Sequence, residues 1–160
     1  MQKELITQFG YKKIVDEFKD LLENKKPYWV KQKEIAAQFG DRSENAEYIS
    51  AKEMIRNLDK RLRFLDKIIN NSKVIDTTKI SHDRVNFGSE IKLLNLESNE
   101  EYNYILVGTF ETNPKENKIS NKSPLGRALF GKRINEEFEF QINGNFFEYE
   151  VVNIKMYEFK

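Results

Sequence analysis

The chain has no cysteine, which excludes disulfides, thiolate metal sites and cysteine nucleophiles and fits a reducing compartment. It has one histidine, His82, in an ISHDR loop with no recognisable catalytic partner nearby, so histidine-rich metal sites are excluded and His82 is read as incidental. Long apolar runs are missing too: MQKELITQFGYKKIVDEFKD carries charge every few positions and matches neither a signal peptide nor a membrane span. Neither sign of charge is in excess, with 27 Lys and Arg against 26 Asp and Glu. Bulk charge therefore argues neither for a nucleic-acid binder nor for a disordered tail. A soluble, cytoplasmic protein is expected. The hydrophobic content, 39% of 160 residues, is low for a single compact core and points to a two-part molecule.

The two parts differ in texture. Tyr11, Ile14, Phe18, Leu21, Tyr28, Ile35 and Phe39 fall on alternating three- and four-residue steps, with Lys25 and Gln32 in the polar slots, as in a heptad seam. Thr7 suits an N-cap, and Pro27 predicts a kink or local break. Ala51, Ile55, Leu58, Leu62, Leu65 and Ile69 form a second seam, so an antiparallel coiled-coil hairpin is predicted over 1–75. Its second helix, from Glu44 to Asn71, would be roughly 40 Å long, more than a small domain needs for its own core.

From 76 to 160 the pattern turns to short strands, with Asn143-Gly144 as a hairpin turn and SPLGRALFGK as one short helix between Pro124 and a Gly131 cap. The fold class is thus α+β, a helical hairpin followed by an antiparallel sheet domain. Residues 1–72 hold 15 Lys and Arg against 12 Asp and Glu, and residues 73–160 hold 12 against 14, so a basic hairpin precedes an acidic sheet domain.

Three features bear on chemistry. The turn at 40–48, GDRSENAEY, contains Asp41-x-x-Glu44, which matches a capping box; taken alone, the turn suits that structural role better than a functional one. The same two carboxylates on a rigid turn would chelate a hard divalent cation, weakly, because Mg²⁺ demands six ligands. Such a pair needs another molecule to supply the remaining oxygens. Glu47, one turn further on, is assigned to supporting the helix terminus. Second, Lys52, Arg56, Lys60, Arg63 and Lys67 share one strip about 80° wide on the second helix, near Arg42. This is either an ordinary solvated face, softened by Asp59 and Asp66, or a phosphate-binding stripe. Third, the aromatic-rich strands FEFQI and FFEYEVVNIKMYEF read as core and strand-pairing residues rather than base-stacking platforms.

Across the chain, FGYKKIVDEF leading into KKP, GDRSENAEYISAKE, KVID, VNFGSEI and ISNKSPLGRALFGK, in this order, resemble the bacterial Gre-type transcript cleavage factors, GreA/GreB. GDRSEN, RLRFLDK and VNFG look closer to the GreB branch. The resemblance implies an FKBP-like sheet domain and a hairpin that enters the secondary channel of a backtracked RNA polymerase. Asp41 and Glu44 would help hold a second Mg²⁺ beside the polymerase's own metal for hydrolysis of the transcript near its 3′ end, with no metal bound tightly by the free protein. Arg42, Lys52, Arg56, Lys60 and Arg63 would contact RNA, and Ser123 and Pro124 would dock at the channel rim. Ala37 departs from GreA-branch members, which often carry a basic residue there. The factor would be a monomer that donates ligands, the polymerase being the enzyme. A channel-binding inhibitor, a prolyl isomerase and a purely structural coiled-coil adaptor are the alternatives; only the first keeps the same architecture and partner.

Overall fold

The computed structural model describes residues 3–160, which divide into two compact units. One comprises 12–71; the other joins the first eleven residues to 72–160. The boundary therefore differs from one near residue 75, because Glu4–Thr7 is a strand, β1, pairing in parallel with β2, Ser72–Ile75. A four-residue strand whose partner lies far along the chain leaves little local pattern to read.

Helix α1, Gln8–Asp20, begins in the first of these sequence segments and continues into the hairpin unit. Thr7 caps it as expected: its Oγ1 accepts from the Gly10 N–H at 3.0 Å. The Thr7 N–H and hydroxyl both donate to the Glu111 carboxylate, which also accepts from the Gly108 N–H at 3.0 Å. A Cβ at Gly10 would collide with the Glu111 carboxylate, so a side chain there would displace these bonds.

In the hairpin unit, α1 runs into a π-helical turn, Leu21–Lys25, and then into α2, Lys26–Ala37. Pro27 explains the turn. Its ring has no N–H to give and would collide with the carbonyl four residues earlier in a regular helix. Widening the turn relieves both problems, and the Lys26 N–H reaches back to the Leu21 carbonyl. The helix is widened rather than broken.

A π turn holds one extra residue, so every side chain beyond it moves on by one position. This corrects the predicted seam of α2. Trp29 packs on the cluster of Leu21, Leu58, Leu62 and Leu65, and Ala36 is buried, whereas Tyr28, Ile35 and Phe39 are exposed. The return helix α3, Ala46–Asn71, follows its predicted seam closely, ending on buried Ile68 rather than Ile69. At 26 residues it is about 39 Å long. Two ion pairs tie it to the first arm: Arg61 grips Glu17 through two bonds of 2.6 and 2.8 Å, and Lys26 meets Asp59 at 2.7 Å.

The sheet unit carries five strands in the order β5-β4-β3-β7-β6: β3 Ser89–Asn95, β4 Glu101–Val107, β5 Lys118–Ser120, β6 Glu137–Ile142 and β7 Asn145–Met156. It is mixed rather than purely antiparallel, because β5 runs parallel to β4. Asn143 and Gly144 turn β6 into β7 at φ of 52° and 79°, the positive values a two-residue hairpin needs. A short helix, α4, Pro124–Leu129, adds Leu129 to a core of Val85, Ile91, Leu93, Leu106, Val151 and Ile154. The α+β class holds for the chain as a whole.

Candidate metal-binding tip and basic face

Between α2 and α3 lies the turn that was read as a capping box. The structure assigns the cap elsewhere. Asn45 Oδ1 accepts from the Tyr48 N–H at 3.1 Å, and Asn45 Nδ2 donates to the Ala36 carbonyl at 2.7 Å. One side chain thus caps α3 and staples it to the end of α2. Sequence reasoning missed Asn45 because Asp41-x-x-Glu44 offered a better-known pattern; the signal was an asparagine directly before the first helical residue.

Asp41 makes a local turn instead. Its Oδ1 accepts from the Ser43 N–H at 3.0 Å and the Ser43 hydroxyl at 2.9 Å. These donors, the backbone one first, hold its carboxyl below the ordinary value, so it stays an anion to lower pH. Among the described residues, Asp41 Oδ2 and the Glu44 carboxylate have no hydrogen-bond or ion-pair partner. Asp41, Glu44 and Glu47 line one hollow together with Phe39, Asn45 and Ala46.

Three free hard oxygens suit Mg²⁺ in kind but fall short of its six in number. No group of three or more His, Cys, Asp or Glu able to hold a metal occurs among the described residues. An ion at this pair would need further oxygens from outside these two side chains.

A second hollow beside the tip is of mixed charge with an excess of cations: Arg42, Lys52 and Arg56 line it with Glu53, Asp59, Ser43 and Tyr48. Arg42 sits over the Tyr48 ring at 5.7 Å, and Arg56 pairs with Glu53 at 3.0 Å. Lys52, Lys60, Arg63 and Lys67 are exposed, and none joins an ion pair among the described residues. Asp59, which the sequence set against this stripe, is already neutralised by Lys26. The stripe is thereby less mixed than its sequence suggested. Ala37 is half-buried at the end of α2 and presents no charge.

In the sheet unit, Ser123 is committed to structure, its Oγ accepting from the Gly126 N–H at 3.0 Å and donating to the Ser120 carbonyl at 2.6 Å. It caps α4 and leaves Pro124 exposed at the first turn. Phe130, just past α4, lines an apolar hollow with Leu5, Ile75, Ile80 and Phe87. His82 is committed as well: Nε2 donates to the Thr77 carbonyl at 2.8 Å, and Nδ1 meets the Ser89 hydroxyl at 2.6 Å. It has a packing role, consistent with its being incidental to chemistry.

A helical hairpin with carboxylates at its tip and exposed cations along one helix, joined in one chain to a mixed sheet unit, defines a class of two-unit α+β proteins. The family models narrow the class: "Transcription elongation factor, N-terminal" matches residues 4–74, and "Transcription elongation factor, GreA/GreB, C-term" matches residues 80–156. The chain belongs to the GreA/GreB family of transcription elongation factors.

Among curated relatives, transcription elongation factor GreA of Lachnoclostridium phytofermentans is 40% identical over 154 residues, covering 96% of each chain. GreA of a Nitratiruptor species is 42% identical over 153 residues, covering 96% of this chain and 93% of its own. These relatives bear the GreA name, so the lean towards the GreB branch gains no support from them. The solved GreA factor homolog Gfh1 of Thermus thermophilus aligns at 22% identity and a TM-score of 0.45, covering 96% of this chain and 99% of that one. Among the described residues no helix is long and apolar enough to cross a membrane.

Proposed function

We propose that the protein binds RNA polymerase in the cytoplasm, places its hairpin tip in the secondary channel and stimulates Mg²⁺-dependent cleavage of a backtracked transcript near its 3′ end. Stalled complexes then resume elongation. The observation that carries this reading is the state of Asp41 and Glu44: the helix cap is Asn45, so neither carboxylate caps α3, and Asp41 Oδ2 and both Glu44 oxygens are left over from the turn.

The bound ion supplies Lewis-acid charge at the scissile phosphodiester. Asp41 and Glu44 would offer it oxygen ligands, with the Ser43 donors holding one Asp41 oxygen and leaving the second free. Arg42, Lys52, Arg56, Lys60 and Arg63 hold the phosphates of the extruded RNA. The exposed Pro124, on a helix fixed by the Ser123 cap, belongs to the surface that docks at the channel rim, with the hollow beside Phe130 as its apolar part. The polymerase performs the reaction, and this chain, as a monomer, completes its site.

The test is to add the protein and Mg²⁺ to a stalled, backtracked elongation complex and follow RNA length. Shortened transcripts are expected, with Asp41→Ala or Glu44→Ala reducing the rate at least about 100-fold while binding to polymerase persists. Binding without any shortening would favour the inhibitor reading instead.

A further inference from the structure

Phe39 stands out on the hairpin. It is 76% exposed, the most of any large hydrophobic residue among those described. Phe39 lies two residues past the end of α2, in the turn that leads to the tip, so it is not part of the helical seam. The backbone at Phe39 is nevertheless held. Both the Phe39 N–H, at 3.1 Å, and the Asn45 side chain, at 2.7 Å, donate to the Ala36 carbonyl. Phe39 thus lines one hollow with Asp41 and Glu44, on a turn stapled through the Ala36 carbonyl.

We infer that Phe39 is a stacking platform for a nucleobase of the extruded RNA 3′ segment. This rests on the proposed cleavage function. The ion proposed at Asp41 and Glu44 would take the scissile phosphate, so Phe39, the apolar side chain of the same hollow, suits the uncharged part of an adjoining nucleotide. The cations Arg42, Lys52 and Arg56 line the neighbouring hollow and suit the phosphates. A strand crossing the tip therefore meets charge on one side and an aromatic face on the other, the two components of single-strand recognition. Because every base has a π face, the contact positions the RNA with little sequence preference.

The test compares wild type, Phe39→Ala and Phe39→Trp in cleavage of backtracked complexes whose extruded RNA is either normal or carries abasic nucleotides. Because Phe39 is exposed, all three should melt at the same temperature. Phe39→Ala should lower cleavage of normal RNA about tenfold, with Phe39→Trp restoring it. The loss should lie in the factor concentration needed for half-maximal rate rather than in the rate at saturation. On abasic RNA, wild type and Phe39→Ala should be equal. A loss of the same size on abasic RNA would mean that Phe39 packs against polymerase, and no loss on normal RNA would mean that it contacts nothing; either overturns the inference. Wild type failing to shorten any RNA would instead overturn the proposed function, and this inference with it.

Discussion

In the sheet unit the conspicuous polar side chains are already spent. Glu111 receives Thr7 and Gly108, Ser123 caps α4, and His82 bonds with both ring nitrogens, all around a seven-residue apolar cluster. The hairpin closes on a cluster of four leucines, and its carboxylates at the tip and most cations of its stripe stay uncommitted. The contrast teaches where to look for function: a residue whose polar atoms are satisfied internally explains itself, and one left unsatisfied on a rigid element calls for a partner. Asp41 and Glu44 meet that criterion; Ser123 and His82 do not.

The contrast is broken most severely by attacking the thin core. Leu65 is fully buried, so Leu65→Ala should cost about 3 kcal/mol. Hydrogen exchange should show the loss across 46–71 while protection of β3 and β7 is retained. Equal loss in both would mean that the units do not differ in the way described.

Removing charge from the stripe should act on RNA and not on folding. The combined Lys52→Ala, Lys60→Ala, Arg63→Ala variant should weaken activity roughly tenfold and reduce its log–log salt slope by about 2, with the melting temperature unchanged. A smaller change is expected at the turn. Asn45→Ala removes the cap and should cost about 1 kcal/mol, whereas Asp41→Ala should alter stability by less than about 0.5 kcal/mol. The reverse order in a denaturant titration would restore the capping-box reading.

The smallest effect concerns Glu17. The Arg61 guanidinium, chiefly through its hydrogen bond, lowers the Glu17 carboxyl from its ordinary value of 4.5. A group whose folded pKa is depressed contributes stability above its unfolded pKa and loses it as pH falls through the folded one. The contribution should thus be present at neutral pH and fade below about 4.5. Because both side chains are more than a third exposed, solvent screening limits Glu17→Gln to about 0.5 kcal/mol at neutral pH. Melting curves of the two proteins that stay apart at low pH would contradict the sign.

Much of this was legible in the sequence, for physical reasons that also mark where legibility stopped. The seam of α3 and the Asn143-Gly144 turn follow from local periodicity and local φ requirements, and both were read correctly. Pro27 announced a disturbance, but not that a π turn would absorb it and shift the exposed face by one residue. Periodicity cannot report a change of helix type or where the helix ends, so Tyr28, Ile35 and Phe39 were placed inside. β1 and β5 were missed because strands of four and three residues paired in parallel with distant partners carry almost no pattern of their own. The sequence singles out the tip carboxylates, while their freedom from capping required the position of the Asn45 side chain.

The proposed role of Asp41 and Glu44 is to hold a metal ion jointly with polymerase. The most direct test is the Mg²⁺ concentration giving half-maximal cleavage of a backtracked transcript, measured at saturating factor for wild type, Asp41→Asn and Glu44→Gln. Removing either charge should raise that concentration at least about tenfold while polymerase affinity stays the same. An unchanged Mg²⁺ requirement in both variants would contradict the account.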